Sequence, residues 1–559
     1  MSLFSVLNVG TRGLMASQLA MDVAGQNISN ADVKGYSRKR LNLAPDYRYD
    51  STYGQMGMGV EVINIERMRN GFIDNQIRLQ NQEVGYFDEI NQSLSAIENV
   101  FTEPGDTGIQ TFIDQFFDSW QNLSNNPADL SARTMVKTNA EILNDVFHNL
   151  AGELTDLRQT RNTEIETRVE KVNEIVKEIY NLNLEIGAVE IGNQNANDSR
   201  DRRDRILKDL SLLIDINTTE NDLGQLTVTT NGNILVSPVN YQTLVTTSTS
   251  FQMPDGTSMT NVGIKFSDSH KPYMPQGGEI KGLIEVRDSI VPEYQKKLDD
   301  LALAIVHDVN SLHVTGYNLD GYSGNNFFNP DTTGASDISL AAAINASVHN
   351  IAAASGGEIE PGIANTFAAG MHNFGAPPLQ LYRDPGAVPV TPAANIMRGS
   401  VIVNTPSITL QEGIDYHIDY VSGTIQMLHN GYDAQNLTVN FQYRTGGFAG
   451  PGDNSNSVAI AALRSDLTMS PDVVGNNTAT YAEYYSSVIG FLGLSKNEAN
   501  SSLETRTFLV DQYESQQDSI AGVSLDEEMA DLIKYQHTYQ AAARLISLTN
   551  DMLDTLINM

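Results

Sequence analysis

The chain has 559 residues, 40% of them apolar, which is enough for three or four domains with hydrophobic cores. Its 68 acidic and 35 basic residues give a formal charge of −33, which argues against a nucleic-acid partner, because phosphate binding needs clustered Lys and Arg. The absence of cysteine excludes disulfides, thiolate chemistry and cysteine-based metal sites.

The first predicted element is a helix with a seven-residue apolar repeat. Large apolar residues recur every seven positions, and a small residue stands three positions after each. The two sets are Leu7, Leu14, Met21 and Ile28, and Gly10, Ser17, Ala24 and Ala31. Such a repeat forms a narrow stripe that needs a partner helix.

An extended region near 40–65 follows, and helical character returns from about Gly71. The longest helical pattern runs from about 132 to 190 and has the strict sevenfold spacing of a coiled-coil helix. A further helix is predicted from Arg200 to Leu213. Acidic and basic residues alternate at its start, around Asp201 and Asp204, which indicates a solvated, salt-bridged helix end.

From 223 to about 285 the apolar period changes to two, and Asn231-Gly232 predicts a hairpin turn. Helix is expected to resume near Pro292. The segment 356–452 is rich in Pro, Gly and β-forming runs, so we interpret it as a separate insertion. Helices return after it, with a break at Gly522.

The last helix repeats the pattern of the first. Its stripe consists of Leu525, Leu532, Tyr539, Ile546 and Leu553, and Ser524 with Glu527 predicts a capping box at its start. Neither terminal helix can bury its stripe alone, so we expect the two to pair with each other or with copies of themselves. The basic cluster 34–40 and the acidic residues 526–528 favour an antiparallel pair.

The predicted fold is mainly α with β-rich outer domains, in an elongated, nested chain that goes out and returns. Residues 1–35 and 523–559 form a terminal coiled-coil domain. Residues 36–215, 286–355 and 453–522 form a helical bundle that includes the extended segment near 40–65. Residues 216–285 form a β-rich domain and 356–452 a variable β-rich insertion.

No motif in the chain supports catalysis. It lacks a G-x-S-x-G elbow, a Walker A loop and an H-E-x-x-H pair, and His307 and His313 point to different faces of their helix. We therefore predict that it is not an enzyme and has no catalytic, cofactor-binding or metal site. No apolar run is long enough for a membrane span, and no cleavable secretory signal is expected at the start.

Three stretches are similar to a known family. Asn27-Ile28-Ser29-Asn30-Ala31 followed by Gly35-Tyr36-Ser37-Arg38 resembles the N-terminal signature of bacterial flagellar axial proteins, which comprise rod, hook and hook-associated proteins. The Ser37-Arg38 ending resembles the hook-associated protein 1 branch in particular. The stretches 278–288 and 522–544 resemble the same family, whereas Val33-Lys34 departs from its usual Thr-Pro.

The resemblance implies a structural protein at the hook–filament junction, outside the cell, whose terminal helices assemble into a ring lining the export channel. It implies five partners: further copies, the hook protein, the next hook-associated junction protein, an export chaperone on the C-terminal helix, and the flagellar type III export apparatus. Two alternatives remain open. One is a secreted adhesin or glycan-binding surface protein that uses the insertion; the other is a different rod or hook axial protein.

Overall fold

The structure is a computed structural model. It describes residues 3–45, 48–51, 54–101, 108–192, 194–252, 258–362, 364–368, 379–382, 396, 401–406, 409–411, 415–419, 424–428, 435–448, 450–471 and 477–557. Its helices are α1 (Leu3–Ser29), α2 (Gly71–Phe101), α3 (Ile109–Asn125), α4 (Leu130–Glu190), α5 (Asn197–Leu213), α6 (Gly278–Glu285), α7 (Val291–Thr315), α8 (Ala342–Ala346), α9 (Ser455–Ala462), α10 (Tyr481–Ala521) and α11 (Leu525–Ile557). A π-helical turn (Val286–Ile290) joins α6 to α7, and a 3₁₀ turn spans Val348–Asn350.

The strands are short and form several small sheets. In chain order they are β1 (Lys39–Pro45), β2 (Arg48–Ser51), β3 (Gly54–Gly57), β4 (Val60–Arg67), β5 (Asn217–Glu220), β6 (Leu226–Thr230), β7 (Asn233–Val236), β8 (Leu244–Gln252), β9 (Ser258–Phe266), β10 (Pro272–Tyr273), β11 (Gly316–Tyr317), β12 (Ala354–Pro361), β13 (Asn365–Phe367), β14 (Leu379–Gln380), β15 (Ile402–Asn404), β16 (Thr409–Leu410), β17 (Tyr416–Asp419), β18 (Thr424–Met427), β19 (Leu437–Asn440), β20 (Gln442–Phe448), β21 (Met469–Pro471) and β22 (Asn477–Ala479). Every strand pair is antiparallel within the described residues, and β1 pairs with β4 beside the terminal helices.

Three hydrophobic cores organise the described part of the chain. The largest joins α2, α3, the first half of α4, α7, α9 and the start of α10. The second joins the later part of α4 and α5 to the strands β6–β10 and to α6, so these strands share their core with helices. The third lies within the insertion and is built from residues between 381 and 441.

Several sequence predictions are confirmed at this level. The long helix α4 has 61 residues and buries its sevenfold apolar positions, including Ile165, Val172 and Ile179. The hairpin turn between β6 and β7 has positive φ at Asn231 (43°) and Gly232 (74°), as a type I′ turn requires. The break near Gly522 separates α10 from α11.

α7 begins at Val291 with Pro292 in its first turn, as predicted. The sequence pattern missed α6, because helix already begins at Gly278 and continues through the π-helical turn into α7. Gly278 has φ +81°, and a Cβ there would lie 2.5 Å from the backbone of Leu213, so only glycine fits this start. The π-helical turn lies directly before Pro292, so the helix changes its hydrogen-bond pattern where proline has no N–H to donate.

Candidate functional site: the paired terminal helices and the adjoining loop

The two terminal helices, α1 and α11, pack against each other in antiparallel directions. A Cβ added at Gly10 would lie 2.9 Å from Cγ1 of Ile546, whereas at the other end of α1 the Asn27 side chain donates to Glu528 at 3.0 Å. Residue numbers therefore rise along α1 as they fall along α11. The helices that the sequence predicted to pair are neighbours within one chain.

The small residues of α1 face the large seam residues of α11. The Gly10–Ile546 contact fixes the register, and one heptad further along it places Ser17 opposite Tyr539, then Ala24 opposite Leu532. Gly10, Ser17 and Ala24 are buried, and their partners on α11 are half-buried. A small residue opposite a large one allows the helix axes to approach closely.

The other predicted seam residues are less enclosed. Leu7, Leu14, Met21 and Ile28 are half-buried, as is Leu553. Leu525 is 49% exposed. The apolar seam is thus buried where the two helices face each other, and its other side remains exposed.

Two further apolar patches on α11 were not predicted. Leu525, Met529 and Ile533 follow each other at four-residue spacing, and Leu545, Leu548 and Met552 form a second group. The five residues besides Leu525 are 37–56% exposed. Apolar residues at spacings of three and four could have indicated these patches in the sequence, but attention to the stricter seven-residue repeat obscured them.

A loop of residues 30–38 follows α1, and the polar residues of the family signature hold it. The Oδ1 atom of Asn27 accepts from the Tyr36 hydroxyl and from the Lys39 N–H, each at 2.9 Å. Its Nδ2 donates to the Lys39 carbonyl at 2.9 Å. Burial and nearby carboxylates raise the pKa of Tyr36 above its usual value, so its hydroxyl stays a donor at neutral pH.

Ser37 and Arg38 connect this loop to α5 and α11. The Ser37 hydroxyl donates to Asp201 at 2.7 Å. Arg38 donates from Nε to Glu528 at 2.7 Å and from its terminal nitrogen to Glu527 at 2.9 Å. Its backbone N–H bonds the carbonyl of Ala521, the last residue of α10. The loop therefore contacts three helices at once.

The remaining signature residues shape the loop. Asn30 donates from its side chain to the Gln26 carbonyl at 2.8 Å, at the end of α1. Gly35 has φ +84° and packs beside Arg205, a conformation that favours glycine.

Part of the predicted electrostatic pairing is present. Arg38 contacts the acidic start of α11, whereas Lys39 pairs with Asp198 of α5 at 2.7 Å. The capping box is only half formed, because the Ser524 hydroxyl accepts from the Glu527 N–H at 3.5 Å while the Glu527 carboxylate bonds Arg38.

The expectation of a solvated charged start to α5 is wrong. Asp201 and Asp204 are buried, and Arg67 pairs with both at 2.9 and 2.6 Å. Arg69 pairs with Asp74 at 2.9 Å and reaches the Ser37 hydroxyl at 3.2 Å. Sequence reasoning missed Arg67, Arg69 and Asp74, because no local spacing connects them to α5.

The terminal pair and the adjoining loop offer contact surfaces. Within the described part of the chain, no group of three His, Asp or Glu side chains is placed to hold a metal ion. Over the same residues, no helix is long and apolar enough to cross a membrane.

Three family models match the chain. Residues 94–328 match the "Flagellar hook-associated protein FlgK helical domain", 514–559 the "Flagellar basal body rod FlgEFG protein C-terminal", and 7–36 the "Flagella basal body rod protein". The last two matches include most of α1 and all of α11. Together the three cover more than half of the chain.

Curated relatives match over the full length. Flagellar hook-associated protein 1 of Bacillus subtilis is 26% identical over 587 aligned positions, spanning 100% of this chain and 98% of the relative. The proteins of the same name from Salmonella typhimurium and Escherichia coli are each 26% identical, spanning 99% of this chain and 100% of their own length.

A solved structure, the flagellar hook junction protein FlgK from Burkholderia pseudomallei, has a similar fold. It superposes with a TM-score of 0.56 at 19% identity, covering 80% of this chain and 100% of that one. With the full-length relatives and the three family models, the chain belongs to the flagellar hook-associated protein 1 family.

Proposed function

We propose that this chain is a structural subunit of the bacterial flagellum that joins hook to filament by self-assembly of its terminal helices. The observation that carries the proposal is the pair α1–α11, which covers one side of its seam and leaves two apolar patches open on α11. We assign assembly to the seam residues Leu7, Gly10, Leu14, Ser17, Met21, Ala24, Ile28, Leu525, Leu532, Tyr539, Ile546 and Leu553.

The exposed patches favour contact with further copies. Burying the exposed half of one such side chain is worth about 1 kcal/mol, so six residues contribute several kcal/mol per subunit. A ring closes when each subunit meets the next through the same pair of surfaces. The strong negative charge of the free chain opposes association until these contacts form.

The finer parts of the proposal concern partners and route. The ring lies outside the cell between the hook protein and the next hook-associated junction protein. The chain leaves through the flagellar type III export apparatus without signal cleavage. An export chaperone covers α11 beforehand, because its exposed Met529, Ile533 and Leu548 are a liability for aggregation. No cofactor takes part, and the subunit is not an enzyme.

The adhesin alternative receives no support from the comparisons. The relatives that match 99–100% of the chain are named flagellar hook-associated protein 1. Nothing in the described part of the insertion singles out a ligand site.

Electron microscopy of a strain that lacks this chain tests the proposal. We expect hooks without filaments and flagellin shed into the medium, with filaments restored by the unaltered gene. A variant with Met529→Asp and Ile533→Asp should fail to restore them, because the charges oppose burial of the first patch. Ile402→Asp with Leu428→Asp, equally apolar exposed positions in the insertion, is the matched control. Normal filaments with the α11 variant would overturn the assignment.

A further inference from the structure

The apolar seam between α1 and α11 leaves their register ambiguous. Small residues repeat every seven positions on α1, and large residues repeat every seven on α11. A shift by one heptad would place Ser17 opposite Ile546 and Ala24 opposite Tyr539. These are again small-against-large pairs, so apolar packing distinguishes the two registers poorly.

One polar cluster does not repeat. Glu528 is 3% exposed and accepts from Asn27 at 3.0 Å and from Arg38 at 2.7 Å. A shift in one direction would place Glu528 opposite Ala20, whose side chain offers no hydrogen-bond donor. A shift in the other direction would place Tyr535 opposite Asn27. Either shift separates the carboxylate from its donors.

Groups outside α11 hold one of the two donors. Asn27 is bound by Tyr36 and by both backbone groups of Lys39, and these contacts aim its Nδ2 at the carboxylate. The neighbouring Ser37 anchors the loop to Asp201 of α5. The site that binds the Glu528 carboxylate is therefore attached to the body of the protein as well as to α1.

We propose that Glu528, received by Asn27 and Arg38, selects the register of α11 against α1. A buried polar residue at one position of a coiled coil specifies register, because every other alignment leaves a charge without its partner. The seam holds the helices together, and the cluster chooses among the alignments that the seam allows. The inference concerns pairing within one chain and stands independently of the role at the hook.

The absence of native cysteine makes disulfide trapping a clean measurement of register. A Cβ at Gly13 would lie 3.9 Å from Cβ of Ala542, which is within the range for a disulfide. Gly13→Cys with Ala542→Cys therefore reports the observed register. Gly13→Cys with Tyr535→Cys, or with Thr549→Cys, reports a shift by one heptad in either direction.

The test compares these links in the full chain with and without Asn27→Leu and Glu528→Leu. We expect only the Gly13–Ala542 link in the unaltered background. In the double leucine background the ratio of shifted to unshifted links should rise at least tenfold. Asp526→Leu is the control, since this side chain is exposed and lies two positions before Glu528, and it should leave the ratio unchanged. Non-reducing gels confirm that the links lie within one chain.

Two results would overturn the inference. One is an unchanged ratio in the double leucine background, which would mean that the cluster does not select the register. The other is loss of all three links, which would mean that the cluster holds the helices together instead of aligning them.

Discussion

At the scale of single residues, the loop beside the terminal helices depends on buried charges that meet counter-charges. Burial alone would raise the pKa of Asp204, but Arg67, Arg69 and Arg203 outweigh it and hold the pKa below its usual value. The ionised carboxylate therefore stabilises the fold at neutral pH. That contribution is lost as the pH falls below the unfolded value of about 4.

Asp204→Asn should lower the free energy of unfolding by about 3 kcal/mol or more, because it leaves Arg67 and Arg69 buried with less counter-charge. Asp209→Asn, in the same helix, should cost less than about 1 kcal/mol, since that side chain is exposed. Calorimetric melting at pH 7 measures both. Equal shifts in melting temperature would contradict the account.

His313 makes the core between α7 and its neighbours sensitive to acid. The ring is fully buried; its Nε2 accepts from the Ala352 N–H at 2.8 Å and its Nδ1 lies 2.7 Å from the Asn325 carbonyl. Burial lowers the pKa of His313 to about 4. As the pH falls below about 6.5, the pKa of histidine in the unfolded chain, the unfolded chain binds a proton before the folded chain does. The free energy of unfolding therefore decreases as the pH falls.

Between pH 7 and pH 5 we expect His313 to account for about 2 kcal/mol of lost stability. His313→Gln removes the titration, so its melting temperature should fall less over this interval than that of the unaltered chain. His537→Gln, at an exposed position on α11, should not alter the dependence. An identical pH dependence in the His313 variant would refute the assignment.

At the scale of elements, the sequence pattern was sufficient to predict a helix where its apolar repeat was long. Sevenfold spacing predicted α1, α4 and α11, and Asn231-Gly232 predicted the hairpin turn. It failed at α6, because eight residues hold too few apolar positions to show a period, and its start depends on a glycine packed against distant backbone.

The candidate site, too, could be predicted from the sequence only in part. The seam and the signature residues could be named from the sequence. The partners of the signature residues could not, because the contact that links Ser37 to Asp201 spans 164 positions. The alternating charges in α5 resembled a solvated helix end, and only the fold brings Arg67 and Arg69 against them.

The close approach of α1 and α11 predicts opposite effects of the same substitution at two glycines. Gly→Ala within a helix gains about 0.5–1 kcal/mol of helix stability. At Gly25 nothing lies within 4 Å of an added Cβ, so the gain should appear in full. At Gly10 the Cβ would crowd Ile546 at 2.9 Å. Amide exchange should therefore show increased protection of α1 in Gly25→Ala and decreased protection of α11 in Gly10→Ala. Increased protection in both variants would contradict the tight contact between Gly10 and Ile546.

At the scale of the whole molecule, the chain goes out and returns. The first and last helices pair, α2 lies beside α10, and most of the strands, including those of the insertion, lie between these helices in the sequence. This nesting places the junction of α10, α11 and the signature loop between the terminal pair and the body. The orientation of the terminal helices is thus coupled to the rest of the subunit through a few buried polar contacts.

The insertion should be removable. Its described part has a core of its own, and its two ends lie together, since the Ser355 N–H donates to Asp453 at 2.8 Å. Replacing residues 356–452 by a short Gly-Ser linker should leave the melting temperature of the remaining body unchanged. Filament attachment should also be unchanged. Loss of attachment by a folded deletion variant would show that the insertion takes part in the junction.

The most direct test of the central claim is the number of filaments on hooks when the seam is charged in the full-length chain. Ala24→Asp with Leu532→Asp places two carboxylates opposite each other, with Gln18→Asp and Gln536→Asp, both exposed, as the control. The account predicts bare hooks and shed flagellin for the seam variant and normal filaments for the control. Normal filaments on the hooks of the seam variant would contradict it.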